Sequence, residues 1–245
     1  MTIINHLNSL TGRMRSKLGL SPIISLSQGL HPYFYKNQSE QSRIHLRVDP
    51  DGSAILMINA NRIVHLNSTA AFMAYLALEQ TDQEQATQSI THHFKVNRQE
   101  ALSDFTQFLE TFHELIRPDG ACPIHELDLE VHAPFSIKTS APYRMDLAVT
   151  YRCNNDCAHC YNARPRQYPE LSTDEWKLVI DRLWQIGIPH IVFTGGEPTL
   201  RIDLLDLIAH AQNNGQITGL NTNGRRLSDS GYLQQLVQAA FQTRM

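Results

Sequence analysis

Three cysteines lie within eight residues of the chain, at Cys153, Cys157 and Cys160, separated by three and then two other residues. Thiolate sulfur is the usual protein ligand of iron–sulfur clusters and a common ligand of zinc. A cubane cluster has four irons, so three thiolates leave one iron without a protein ligand. A structural zinc site would need a fourth ligand, for which His159 or the distant Cys122 is available. The spacing alone leaves both metals open.

A disulfide fits the cysteines less well than a metal does. The chain has 4 cysteines in 245 residues and shows neither a secretory signal nor an apolar membrane span. We therefore expect reduced thiols, a cytoplasmic location and no membrane association. Cys122 is too far from the loop to belong to it by spacing, and we expect a plain unpaired thiol there.

A second motif follows a predicted strand. The run His190-Ile-Val-Phe-Thr194 is β-branched and aromatic, and it leads directly into Gly195-Gly-Glu-Pro198. Two glycines without Cβ atoms let a ligand approach the backbone, although a simple glycine turn explains them almost as well.

In this order, the two motifs resemble those of the radical S-adenosylmethionine (SAM) superfamily. Its members carry a three-cysteine loop after the first barrel strand and a GGEP-type motif after the second. The resemblance implies that Cys153, Cys157 and Cys160 hold three irons of a [4Fe–4S] cluster and that SAM chelates the fourth. Reduction of SAM by the cluster would give methionine and a 5′-deoxyadenosyl radical that abstracts hydrogen from a substrate.

The same resemblance assigns roles to the neighbouring residues. Gly195, Gly196 and Glu197 would position the methionyl amino group of SAM, and Pro198 would fix the turn. Aromatic Tyr161 would shield the cluster loop together with His159. Thr222-Asn-Gly224 resembles the superfamily's third-strand motif, which places Asn223 near SAM; an Asn-Gly turn explains that segment equally well.

The elements that position these motifs alternate between strand and helix. Strands are predicted at 145–150, 190–194 and 216–221, and apolar residues recur at helical spacing after each. We expect Ser172 with Glu175 to form a capping box, and Asp203 and Ser228 to cap the next two helices. The predicted fold is an α/β partial TIM-type barrel with about three βα units, where the superfamily has about six. By that comparison we expect a C-terminally truncated member with an open sheet edge that favours oligomerisation.

The N-terminal part predicts a different, α+β fold. Short strands at 44–48, 54–58 and 62–65 precede three helices, expected to begin at Asn67 or Ser68, at a Thr81–Glu84 capping box and near Asn97. Three strands followed by three helices suggest a winged helix. The pattern resembles PqqD-like domains, which bind the leader segment of a precursor peptide. Winged helices also bind DNA, but the net charge of −3 and the lack of a basic run argue against nucleic acid.

These elements predict four segments: an N-terminal extension at 1–43 without a recognisable site, a PqqD-like domain at 44–117, a linker with one short strand at 118–143, and the barrel half at 144–245. The resemblances imply a radical SAM enzyme that modifies a ribosomally synthesised peptide. Its partners would be a leader peptide and a reducing protein such as a flavodoxin or ferredoxin. Two alternatives stay open: a radical SAM enzyme acting on a haem or cofactor precursor, and a non-catalytic peptide-binding remnant.

Overall fold

Two structural units divide the chain, Met1–Lys138 and Thr139–Met245. The computed structural model describes residues 2–3, 23–36, 41–117, 139–162 and 169–241. Cys122 and the short strand predicted at 127–131 lie outside the described residues. No helix among the described residues is long and apolar enough to cross a bilayer.

The first unit is an antiparallel sheet followed by three helices. Its strands lie in sequence order: β1 (Thr2–Ile3), β2 (Gly29–Lys36), β3 (Gln41–Val48), β4 (Ala54–Ile58) and β5 (Arg62–Leu66). The helices are α1 (Ser68–Leu78), α2 (Gln83–Phe94) and α3 (Arg98–Ile116). All residues of β4 are buried, because this strand lies between β3 and β5 in the sheet and contributes to the core beneath α1 and α3. The predicted order of three strands and three helices is confirmed, with one strand pair added before it.

The added strand β2 is an integral part of this unit. It pairs with β3 along its whole length, from Gly29 opposite Val48 to Lys36 opposite Gln41. The hydroxyl of Tyr33 donates to the Glu79 carboxylate at 2.8 Å, and the ring of His31 packs edge-on against Tyr75. Burial and the nearby Glu79 carboxylate raise the pKa of the Tyr33 hydroxyl, so it remains a donor. Strand β2 therefore covers the outer edge of β3 and fixes the end of α1.

Two of the helix caps in the first unit agree with the sequence and one does not. Asn67 and Asn97 accept from the third amide beyond them, as predicted. The capping box from Thr81 to Glu84 is wrong, because Asp82 is the N-cap of α2 and accepts from the Gln85 amide. A carboxylate is as good an N-cap acceptor as a hydroxyl, so Thr81 and Asp82 both fit the residue pattern expected at the start of a helix.

The second unit is a parallel three-stranded sheet with alternating helices. Its order is β6 (Arg144–Thr150), α4 (Thr173–Gln185), β7 (His190–Gly195), α5 (Leu204–Asn214), β8 (Ile217–Leu220) and α6 (Ser230–Phe241). Short 3₁₀ turns at Pro198–Leu200 and Arg225–Ser228 precede α5 and α6. The strands lie in the order β6-β7-β8 and are parallel.

Alternate strand positions pack against the helices. Val149 of β6 and Phe193 of β7 share a core with Ile180 of α4 and Leu207 of α5. The capping box at Ser172 and Glu175 is confirmed. Because the strands are parallel, the segments that follow β6, β7 and β8 lie at one edge of the sheet, and these are the segments that carry the three motifs.

The position of one further predicted cap in this unit is confirmed without its hydrogen bond, and another predicted cap is wrong. Asp203 is at the N-cap of α5, but its side chain makes no cap hydrogen bond and binds Arg201 and Thr173 instead. Asp229, not Ser228, accepts from the Gly231 and Tyr232 amides at the start of α6. In the first case a guanidinium outcompetes backbone amides for the carboxylate.

Candidate functional site

The glycine pair after β7 lies directly against the entrance of the cysteine loop. The Gly196 amide donates to the Thr150 carbonyl and the Glu197 amide to the Arg152 carbonyl, both at 2.8 Å. A Cβ atom on Gly195 would lie 2.0 Å from the Thr150 oxygen, and one on Gly196 would lie 2.4 Å from the Arg152 oxygen. Gly195 also has φ of +140°, a conformation that favours glycine. The two glycines are therefore required by a backbone approach within the protein itself.

The cysteine loop presents its thiols to solvent. Cys153, Cys157 and Cys160 are all exposed and free. The Asn155 amide lies 3.4 Å from the Cys153 sulfur, and the Cys160 amide donates to the Cys157 carbonyl at 3.0 Å. Across the described residues, no three His, Cys, Asp or Glu side chains are already gathered to hold a metal ion. The donor set is nevertheless the one an iron–sulfur cluster takes, three accessible sulfurs with an amide aimed at one of them.

The two ends of this loop are tied to the other motifs. At its start, the Asn154 side-chain oxygen accepts from the Asn223 side-chain amide at 2.8 Å, and its carbonyl accepts from Arg225 at 3.3 Å. At its end, the Asn162 side chain donates to the Gly195 carbonyl at 3.1 Å. Tyr161, between Asn162 and the last cysteine, is 85% exposed. Asn162 was not identified from the sequence, where an asparagine after a tyrosine gives no signal of a distant partner.

Glu197 is fully buried behind the turn. Its Oε1 atom accepts from the Thr199 amide at 3.0 Å, from the Thr199 hydroxyl at 2.6 Å and from the Thr222 hydroxyl at 2.7 Å. Its Oε2 atom accepts from the Asn223 amide at 2.7 Å. Burial raises the pKa of this carboxyl, but the hydrogen bonds outweigh burial and hold the pKa below its usual value. Glu197 is therefore a buried anion that fixes the segment after β8.

A network of charged residues lies beside the loop entrance. Glu170 accepts from the Thr150 hydroxyl and from the Arg152 guanidinium, which lies 3.2 Å away. Arg201 is 6% exposed, binds both carboxylate oxygens of Asp203 and donates to the Val149 carbonyl at 3.0 Å. Burial opposes ionisation of Glu170, but the hydrogen bonds from Thr150 and Arg152 keep its pKa below the usual value. The sequence analysis did not assign Glu170 or Arg201, because charged residues near helix starts are common without such roles.

The outer strand β5 borders the end of α3 in the first unit. Arg62 donates to the Leu115 carbonyl at 2.8 Å and to the Arg117 carbonyl at 2.5 Å. Within the described residues, β5 pairs only with β4, whereas the outer edge of β3 is covered by β2. Ile63 in the middle of β5 is 39% exposed. This edge is therefore one at which a further strand can pair.

Two segments of the chain match models of known protein families. Residues 147–245 match the model of the Radical SAM superfamily, and residues 49–115 match that of Coenzyme PQQ synthesis protein D (PqqD). The radical SAM match implies SAM and an iron–sulfur cluster as cofactors. It covers the strands and loops that carry all three cysteines, the GGEP turn and the Thr222–Gly224 segment.

Similar proteins cover only part of this chain and are longer than it. The PqqA peptide cyclase of Bradyrhizobium diazoefficiens is 39% identical over 111 residues, covering 41% of this chain and 29% of the relative. The Fe-coproporphyrin III synthase of Methanosarcina barkeri is 47% identical over 78 residues, covering 31% of this chain and 20% of that protein. The chain thus spans less than a third of the length of these curated relatives.

A solved structure also resembles the chain. Streptococcus suis SuiB bound to its precursor peptide SuiA aligns with a TM-score of 0.48 and 16% identity, covering 82% of this chain and 45% of SuiB. The chain is thus similar to the Radical SAM superfamily over residues 147–245 and to PqqD over residues 49–115.

Proposed function

We propose that the chain belongs to a radical SAM enzyme that modifies a ribosomally synthesised peptide. The observation that carries the proposal is the hydrogen-bonded meeting of three segments at one edge of the parallel sheet: the cysteine loop, the GGEP turn and Thr222–Gly224. The three βα units would form part of a TIM-type barrel, in which active sites lie at this edge.

Cys153, Cys157 and Cys160 would hold three irons of a [4Fe–4S] cluster and leave the fourth iron for SAM. When bound, this cluster would supply the electron that cleaves SAM to methionine and a 5′-deoxyadenosyl radical. The exposed loop leaves the thiols accessible to the cluster, and the Asn155 amide supports Cys153.

The remaining motif residues would bind and orient SAM. Gly195, Gly196 and Pro198 shape a turn whose backbone is held against Thr150 and Arg152, so its remaining polar groups keep fixed positions. Asn223 would lie beside SAM, and Tyr161 would cover the loop and exclude water once the site is filled. A fixed backbone avoids reorganisation during the reaction.

Electron paramagnetic resonance (EPR) tests the cofactor proposal. The chain is reconstituted with iron and sulfide without oxygen, reduced, and measured with and without SAM. We expect a [4Fe–4S] signal that SAM perturbs, lost in Cys157→Ala and kept in the matched variant Cys122→Ala, which also removes one thiol. A zinc-loaded chain without a cluster signal would refute the assignment.

The PqqD-like domain would recruit the substrate by its leader segment. An extended peptide can add a strand to an open sheet edge, where backbone hydrogen bonds give affinity and side-chain pockets set the register. We assign this role to β5, because within the described residues it pairs only with β4 and its central Ile63 is partly exposed, whereas β3 and β4 each pair on both sides. Tethering the leader raises the local concentration of the peptide to be modified.

Fluorescence anisotropy with labelled leader peptides encoded beside the gene tests the recognition proposal on the whole chain. We expect saturable binding that Ile63→Glu weakens and that Leu102→Glu, at an equally exposed apolar residue of α3, leaves unchanged. Binding unaffected by Ile63→Glu would refute the assignment to β5. Absence of saturable binding to any of these leaders would count against peptide recognition.

A second candidate is a radical SAM enzyme acting on a porphyrin or cofactor precursor. The similarity to an Fe-coproporphyrin III synthase favours it. This candidate predicts that an iron porphyrin binds the chain and that leader peptides do not.

Two further partners complete the proposal. A flavodoxin or ferredoxin would reduce the cluster, because the cysteine loop is exposed to an incoming donor. A second copy would associate through β8, which within the described residues pairs only with β7. A sharp monomeric sedimentation boundary would refute the second of these.

A further inference from the structure

We infer that Glu197 is a positioning residue that couples the GGEP turn to the cysteine loop through Asn223 and Asn154. The inference rests on the proposed function, because it assigns SAM to the turn and the cluster to the loop. It differs from the role that the family resemblance gives this residue, a direct contact with the amino group of SAM.

The carboxylate of Glu197 is not presented to a ligand. The residue is fully buried, and its two oxygens already accept four hydrogen bonds, two from the hydroxyls of Thr199 and Thr222 and two from the backbone amides of Thr199 and Asn223. A buried carboxylate is costly unless such donors compensate it. The carboxylate therefore holds its donors in place, and Glu197 fixes the backbone at Thr199 and at Thr222–Asn223.

Asn223 connects Glu197 to the cysteine loop by hydrogen bonds. Its amide donates to Glu197, and its side-chain nitrogen donates to the Asn154 oxygen at 2.8 Å. Its side-chain oxygen accepts from the Arg225 amide at 3.1 Å, so both polar atoms of the side chain have partners that fix its orientation. Asn154 directly follows Cys153 in the chain.

A separate backbone contact joins the same two segments. The Glu197 amide donates to the Arg152 carbonyl, and Arg152 directly precedes Cys153. The first cysteine thus lies between two residues that are both tied to Glu197, one directly and one through Asn223. Loss of the carboxylate removes the indirect tie and leaves the direct one in place.

Hydrogen exchange of the apoprotein tests the coupling without iron or SAM. We expect Asn223→Ala to raise exchange of peptides covering 153–160 about tenfold, the effect of losing roughly one hydrogen bond. Glu197→Gln should do the same and also raise exchange at 222–224, because its NH₂ group cannot accept from the Asn223 amide. Asp181→Asn neutralises a carboxylate of α4 that binds His210 and Asn214, outside the three segments, and should leave exchange at 153–160 unchanged.

A double-mutant cycle gives the second readout. If the coupling runs through one hydrogen bond, Asn154→Ala should raise exchange no further when Asn223 is already alanine. Asn154 is exposed, so this variant keeps the fold even if Glu197→Gln does not. Unchanged exchange at 153–160 in Asn223→Ala, or fully additive effects of the two substitutions, would overturn the inference.

The cofactor experiment separates this inference from the proposed function. In the reconstituted chain, Asn223→Ala should keep the cluster signal and raise the SAM concentration that half-perturbs it about tenfold. A wild-type chain without a SAM-sensitive cluster would refute the proposed function, whereas the exchange experiment would still decide whether Glu197 holds the loop.

Discussion

Replacing Gly195 by alanine should destabilise the second unit more than any other glycine-to-alanine change near the site. The new Cβ would lie 2.0 Å from the Thr150 carbonyl oxygen, a backbone atom that cannot rotate away, at a residue whose φ is +140°. Strands β6 and β7 would have to separate, and this would weaken the hydrogen bonds from Gly196 to Thr150 and from Glu197 to Arg152. Backbone strain, overpacking and two weakened hydrogen bonds together give a loss of about 3–5 kcal/mol.

Urea denaturation followed by tryptophan fluorescence measures this loss selectively. Both tryptophans of the chain, Trp176 and Trp184, lie on α4, so their emission reports the second unit. Gly224→Ala is the matched control, because Gly224 also has positive φ but has open space where a Cβ would lie. The control should lose only about 1–2 kcal/mol, the strain of the left-handed conformation alone. Equal losses for the two variants would refute the claim that a close backbone approach requires Gly195.

Two other outcomes are expected. Tyr33→Phe should lower the stability of the first unit by about 1 kcal/mol and raise amide exchange in β2, because it removes the hydrogen bond to Glu79. Tyr35 is buried on the same strand without such a bond, so Tyr35→Phe should change neither stability nor exchange. Equal effects of the two substitutions would contradict this role of Tyr33. Stability of the second unit should decrease as the pH falls through the folded-state pKa of Asp203. Burial opposes its ionisation, but Arg201 and Thr173 hold that pKa below the usual 3.8, so its stabilising contribution is present above 3.8 and lost below. Urea midpoints across this range should change less in Asp203→Asn than in wild type.

The sequence predicted the second unit well where local patterns determine structure. Strand β7 and its glycine turn follow from a β-branched run ended by glycines, and the capping box at Ser172 marks the start of α4. The same reasoning failed where a long-range partner competes with a local one. Asp203 has the residue type of an N-cap, but Arg201 lies two residues away and takes both of its carboxylate oxygens.

Strand β2 was missed for a related reason. Pro32 interrupts its run, and proline within a run argues against an interior strand. In the structure Pro32 lies opposite His45. Among the residues that the structure describes, only the two-residue strand β1 pairs with the other side of β2, at Tyr35 and Lys36. A missing amide donor is tolerated at such a position. The buried tyrosines at alternate positions, Tyr33 and Tyr35, are the signal that could have identified this strand.

The candidate site shows why motif residues are not all ligand contacts. The amides of Gly196 and Glu197 and the carboxylate of Glu197 are used within the protein, against the loop entrance and the segment after β8. The thiols of the loop, in contrast, are exposed and free. A short motif therefore combines two kinds of residue, exposed ones that a ligand can reach and buried ones that hold the backbone in place. Sequence spacing cannot distinguish the two kinds, because both occur within the same few positions of the motif. The burial of each side chain and its hydrogen-bond partners do distinguish them.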